Sequence, residues 1–136
     1  MRKVLIVDDN AELLFAMKSL LSFYGFDIHT ATGSKILMDE IASFKPDVVI
    51  IDVLLCGEDG RDICKKIREN SNYNEVTILL FSASPKYLQD FKKHGADGFI
   101  EKPFGIKKLI ENIETAMQSR KSILLPTIPD SRIIPK

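Results

Sequence analysis

The 136-residue chain predicts an α/β fold, a doubly wound five-stranded parallel sheet with helices on both faces. Two observations carry that reading. Val4-Leu5-Ile6-Val7, Val48-Val49-Ile50-Ile51 and Ile78-Leu79-Leu80-Phe81 are apolar at every position, without the alternation of a half-exposed strand, so they belong to strands buried on both faces. Between such runs lie segments whose apolar residues recur at helical spacing, and strand-helix alternation of this kind builds parallel sheets through crossover helices.

In order, Lys3 to Val7 reads as the first strand. Asp9-Asn10 then supplies capping chemistry for a helix carrying Leu13, Leu14, Met17, Leu20, Leu21 and Tyr24, which Gly25 stops. Phe26 to Ala31 forms a second strand, and Ser34 is placed to cap a helix with Leu37, Ile41 and Phe44, ended by Lys45-Pro46. The third strand runs from Asp47 into Asp52 and opens into the loop Cys56-Gly57-Glu58-Asp59-Gly60. A third helix follows from Arg61 to Asn70 with Ile63, Cys64 and Ile67 inward, then a loop at Ser71-Asn72-Tyr73-Asn74. Val76 to Phe81 is the fourth strand, ending at Ser82, and Ser84-Pro85 opens a short fourth helix with Leu88 and Phe91 on one face. Phe99-Ile100-Glu101 is a very short fifth strand running into Lys102-Pro103, and Ile106, Leu109, Ile110, Ile113 and Met117 mark an amphipathic fifth helix.

Composition narrows the function classes. A chain of this length with 45% hydrophobic residues buries one core and is read as a single domain over residues 1–119. Nineteen basic residues balance nineteen acidic ones, so the whole molecule has no net pull toward nucleic acid or acidic membranes. The first apolar run is broken at once by Asp8-Asp9, too early for a signal peptide, and no stretch is long enough to span a bilayer; a cytoplasmic protein is expected. Cys56 and Cys64, with neither CxxC spacing nor a nearby histidine, read as reduced thiols. His29 and His94 lack the setting of a phosphotransfer histidine and read as solvated or packing residues.

In open parallel sheets ligands bind outside the carboxyl ends of the strands. Here the first strand ends in Asp8-Asp9, the third in Asp52, the fourth in Ser82 and the fifth at Lys102. Any one of these has a blander reading: an acid as a helix cap, a serine as a turn, a lysine as a solvated charge. Their joint placement at successive strand ends is what makes a site. Three converging carboxylates repel one another unless a cation holds them together, and an all-oxygen set favours a hard divalent ion such as Mg²⁺. Lys102 offers charge and Ser82 a hydrogen bond to an incoming phosphoryl group, and Asp52 is the candidate nucleophile.

The ordered set of Asp8-Asp9, Asp52 after an apolar strand with Asp59-Gly60 following, Ser82-Ala83, and Phe99 three positions before Lys102-Pro103 resembles the receiver domain of bacterial two-component response regulators, the CheY-like family, from about Lys3 to Gln118. The resemblance implies a flavodoxin-like strand order 2-1-3-4-5 and a cis Lys102-Pro103 bond. It implies Mg²⁺ held by Asp8 or Asp9 with Asp52 and the main-chain carbonyl of Leu54. It further implies phosphotransfer to Asp52 from a histidine kinase or histidine phosphotransfer protein, the chain catalysing only its own phosphorylation and dephosphorylation. Phosphate on Asp52 would draw Ser82 inward and let Phe99 move, changing the surface of the fourth helix, fifth strand and fifth helix for a downstream protein, an output domain or a phosphorylation-dependent homodimer. Two positions depart from the family. Cys56 stands where proline is usual, which predicts a more mobile loop. Leu54 is bulky and apolar at a position that governs access of water to the acyl phosphate, which predicts slow self-dephosphorylation.

Two rivals belong to other classes. A Mg²⁺-dependent phosphatase with an aspartyl-phosphate intermediate is disfavoured because Leu54, not an aspartate, stands two positions after Asp52; a receiver-like binding module that is never phosphorylated keeps every feature of the fold. Residues 120–136, apolar and with three prolines beyond Leu125, are read as a tail or the start of an output region. No helix-turn-helix pattern or basic recognition segment supports direct nucleic-acid binding.

Overall fold

The computed structural model describes residues 2–125. Five strands, β1 (Lys3–Val7), β2 (Asp27–Ala31), β3 (Val48–Asp52), β6 (Thr77–Ser82) and β7 (Gly98–Glu101), form one sheet, while β4 (Leu54–Leu55) and β5 (Glu58–Asp59) pair as a small antiparallel hairpin. The large sheet has the order β2-β1-β3-β6-β7 and every pairing in it is parallel. Counting its strands along the chain gives 2-1-3-4-5, the order the resemblance implied.

Successive strand side chains point to opposite faces, and the core divides accordingly. Leu5, Val7, Val49, Ile51, Ile78 and Leu80 face α2 (Ser34–Phe44) and α3 (Gly60–Glu69). Val4, Ile6, Val48, Ile50, Leu79 and Phe81 face α1 (Ala11–Phe23) and α4 (Ile106–Leu124). Asn10 caps α1, its side chain accepting from the Leu13 N–H, and Gly25, with φ at +90°, turns the chain out of it. Leu20 and Tyr24, although in helical register with the buried stripe, are exposed.

Three expectations are corrected. Residues 84–94 do not form an α-helix; they make two 3₁₀ turns, Pro85–Tyr87 and Phe91–His94. Only Leu88 is fully buried there, with Phe91 packed beside the core, and a three-residue spacing of anchors suits 3₁₀ geometry while offering too little to nucleate an α-helix. Ser34 does not cap α2: it is the first helical residue, and Gly33 holds the cap position. The last helix continues past residue 119 to Leu124, and Arg120, placed at the start of the tail, is buried. The rest of that expected tail, residues 126–136, lies outside the described residues. No helix among the described residues is long and apolar enough to cross a membrane.

Candidate functional site

Four strand ends on one edge of the sheet carry the site. Asp8 follows β1 and is buried, its Oδ1 accepting the Asn10 N–H at 2.8 Å, while Asp9 beside it is exposed. Asp52 is the last residue of β3 and is buried, with its Oδ1 accepting the Leu54 N–H at 3.1 Å. Lys102, directly after β7, sends its Nζ between them, 3.2 Å from Asp8 Oδ2 and 3.2 Å from Asp52 Oδ2. The same ammonium lies 4.4 Å from the centroid of the Phe81 ring, whose face favours a cation. The cis Lys102-Pro103 peptide is present.

Asp8, Asp9 and Asp52 each offer a carboxylate oxygen within 4.8 Å of the others. One ammonium against three carboxylates leaves the cluster short of positive charge. Burial pushes the Asp52 carboxyl above its ordinary range, Asp8 pushes the same way, and the Leu54 N–H and Lys102 oppose them. An all-oxygen cluster with an acid excess, open to solvent through Asp9, fits a hard divalent cation such as Mg²⁺. Bound there, such an ion would supply positive charge to the carboxylates and to the oxygens of an incoming phosphoryl group.

Asp59-Gly60, a pair the sequence sets after the acceptor strand, opens α3 against that strand. Asp59 caps α3 by accepting the Arg61 N–H at 2.9 Å. Gly60 lies so close to Asp52 that a Cβ there would sit 2.0 Å from the Asp52 carbonyl oxygen, so only glycine lets α3 start against the acceptor strand.

The other expected residues are distributed unequally. Ser82 ends β6 and is buried beside the cluster, its Oγ accepting the Ser84 N–H at 3.0 Å rather than reaching a carboxylate. Leu54 is 57% exposed, its side chain pointing away from the core. Phe99 lies outside the cluster on β7, 41% exposed, with its ring 5.2 Å from that of Phe91 over a hollow of about 220 Å³ lined also by Lys108 and Asn112. Both cysteines are free, Cys56 exposed and Cys64 buried, and burial pushes the Cys64 thiol up to about 12. His29 stacks on Phe44 with centroids 3.7 Å apart and pairs with Glu40, a packing role as expected.

The model of the response regulator receiver domain matches residues 4–114. The chain belongs to that family. It is similar to the response regulator MprA of Mycolicibacterium vanbaalenii, 27% identical over 128 residues, a match covering 94% of this chain and 52% of that protein. The chain therefore spans about half the length of that curated relative. Among solved structures it resembles the chemotaxis response regulator CheY4 of Vibrio cholerae, with a TM-score of 0.77 at 29% identity over 85% of this chain and 98% of that one. It also resembles the response regulator TrrA of Thermotoga maritima, solved in complex with Mg²⁺ and BeF, with a TM-score of 0.76 at 27% identity over 85% of this chain and 99% of that one. With the fold and these relatives, the chain is a two-component receiver domain of doubly wound α/β architecture.

Proposed function

We propose that Asp52 is the phosphoacceptor of this receiver, taking a phosphoryl group from the phosphohistidine of a kinase or phosphotransfer protein in the cytoplasm. What supports this most is Lys102 Nζ, 3.2 Å from an oxygen of Asp8 and of Asp52 inside a cluster that still carries an acid excess. In the transfer an Asp52 carboxylate oxygen forms the new bond to phosphorus as the donor's P–N bond breaks, and the departing imidazole keeps the electron pair and takes up a proton. Asp8 and Asp9, with Asp52 and the Leu54 carbonyl, would hold Mg²⁺, whose charge lets a dianionic donor approach three carboxylates. Lys102 then turns from the carboxylates to the phosphoryl oxygens, a charge-assisted contact stronger than a neutral hydrogen bond.

The output follows from the same strand ends. The Ser82 hydroxyl, whose Oγ accepts the Ser84 N–H, donates its own proton to a phosphoryl oxygen as it moves toward Asp52, and the space it leaves lets Phe99 fold inward from its exposed position against Phe91. The surface that changes is made by the 3₁₀ turns of residues 85–94, β7 and α4, and it meets an output domain, a separate protein or a second phosphorylated copy. The chain catalyses only its own phosphorylation and dephosphorylation.

Incubation with Mg²⁺ and acetyl phosphate tests the reading. Intact mass should rise by one phosphoryl group in the wild type and not in Asp52→Asn. Sustained turnover of phosphate esters would instead make the protein a phosphatase, and an unchanged wild-type mass would make it a binding module.

A further inference from the structure

The hairpin after Asp52 has a structural deficit. Two residue pairs, Leu54 with Asp59 and Leu55 with Glu58, are all the ladder it has, and an isolated hairpin of that size does not stand by itself in water. Its turn is Cys56-Gly57, with Gly57 at φ +76°, and carries no proline to fix the backbone. Leu55 is buried and anchors the first strand. The second strand is anchored elsewhere. The Glu58 carboxylate accepts the Ser34 N–H at 3.1 Å and the Ser34 hydroxyl at the amino end of α2.

That helix has a deficit of its own. Its cap residue is Gly33, which has no side chain to accept an orphan N–H. Glu58 does this from 24 residues away, and a negative charge at a helix amino end is favourable. The Ser34 bonds hold the Glu58 carboxyl below its ordinary range, so it stays ionised at neutral pH.

We propose that Glu58 is a positioning residue for the phosphorylation site: tied to Ser34, it fixes the Leu54–Asp59 hairpin so that the Leu54 N–H stays on Asp52 and the Leu54 carbonyl stays where the cation is held. The proposal rests on the phosphoacceptor reading for its metal part only. It also reverses the expectation that Cys56 leaves this loop mobile, because a side-chain tie replaces the missing proline. Glu58 is exposed, so its loss costs the fold no more than a helix cap is worth and acts mainly on the loop.

The test uses the whole chain as Glu58→Ala, Ser34→Ala and Ser34→Thr, with two readouts: hydrogen exchange at the Leu54 and Leu55 amides without metal, and calorimetric titration with Mg²⁺ alone. Glu58→Ala should exchange faster at both amides and bind Mg²⁺ about tenfold more weakly, the range seen when groups that orient a metal ligand are removed, with the thermal midpoint lowered only by the few degrees that loss of a helix cap costs. Ser34→Ala should fall between, and Ser34→Thr, which restores the hydroxyl, should match the wild type. Wild-type exchange at Leu54 and Leu55 in Glu58→Ala overturns the proposal. If the wild type takes up no Mg²⁺, the phosphoacceptor reading fails, while the exchange data still decide whether Glu58 holds the hairpin.

Discussion

Two ionic clusters sit at opposite edges of the sheet, and they are built in opposite ways. At the carboxyl edge three carboxylates, Asp8, Asp9 and Asp52, meet one ammonium, Lys102. At the amino edge one carboxylate, Asp97, meets two guanidinium groups, Arg68 at 2.9 Å and Arg120 at 3.4 Å. The second cluster is closed. Asp97 also accepts the Ile78 N–H at 2.9 Å, Arg68 donates to the carbonyls of Gly95, Tyr73 and Val76, and Arg120 donates to the carbonyl and side chain of Asn74. The first is open, with Asp9 exposed and the Lys102 side chain 24% exposed. Charge count alone does not mark a functional site; unspent acceptor capacity that solvent can reach does. The closed cluster joins α3, β6, α4 and the turn that leads into β7, and burial, which raises the Asp97 pKa and lowers that of Arg68 against their mutual attraction, makes it a tie between elements rather than a large net gain.

Breaking each cluster should therefore have effects of opposite sign. The largest is at the amino edge. Asp97→Ala leaves two buried guanidinium groups without their counter-charge, and removing one partner of a buried pair costs about 3–5 kcal/mol, read as a lower urea midpoint. A loss under about 1 kcal/mol, the worth of an exposed pair, would mean that this cluster is not closed in solution.

At the carboxyl edge, Asp52→Asn should stabilise the metal-free protein. Burial holds the Asp52 carboxyl above its ordinary 3.8, so the folded state binds that proton more tightly than the unfolded chain does. The stability from this group is full below 3.8 and is lost as pH rises through the raised folded value. Urea unfolding without metal should show wild type and Asp52→Asn nearly equal at low pH, with the variant pulling ahead toward neutrality. Excess Mg²⁺ should close the gap by stabilising only the protein that binds it. A gap that shrinks with rising pH contradicts the assignment.

The smallest effect concerns Leu54, exposed two positions after Asp52 and bonded to it through its N–H. Leu54→Asn should shorten the acyl-phosphate lifetime a few-fold by admitting and orienting water, followed as loss of phosphorylated mass after donor removal. An unchanged lifetime removes Leu54 from the account.

The open cluster was legible in the sequence and the closed one was not. Strands buried on both faces read as continuous apolar runs, so their ends place Asp8, Asp52 and Ser82 on one edge, and Lys102 joins them from the end of the short fifth strand. Asp97, Arg68 and Arg120 come together across 29 and 23 residues with no local pattern. Arg120 was further hidden by the prolines beyond Leu125, which suggested an earlier end to the last helix. The 3₁₀ turns at residues 85–94 escaped because Leu88 and Phe91 are spaced for either kind of helix. Without an α-helix there, Phe99 meets Phe91 on an exposed face. Glu58 and Ser34 were hidden in the same way as the arginines, each ordinary in its own segment and paired only by the fold.

The central claim is that the open cluster exists to phosphorylate Asp52, and chemical trapping tests it most directly. After treatment with Mg²⁺ and acetyl phosphate, borohydride reduction converts an aspartyl phosphate to homoserine, which peptide mass mapping locates. Homoserine at position 52, dependent on Mg²⁺, is the predicted result; an intact aspartate at 52, or homoserine at Asp8 or Asp9 instead, would contradict it.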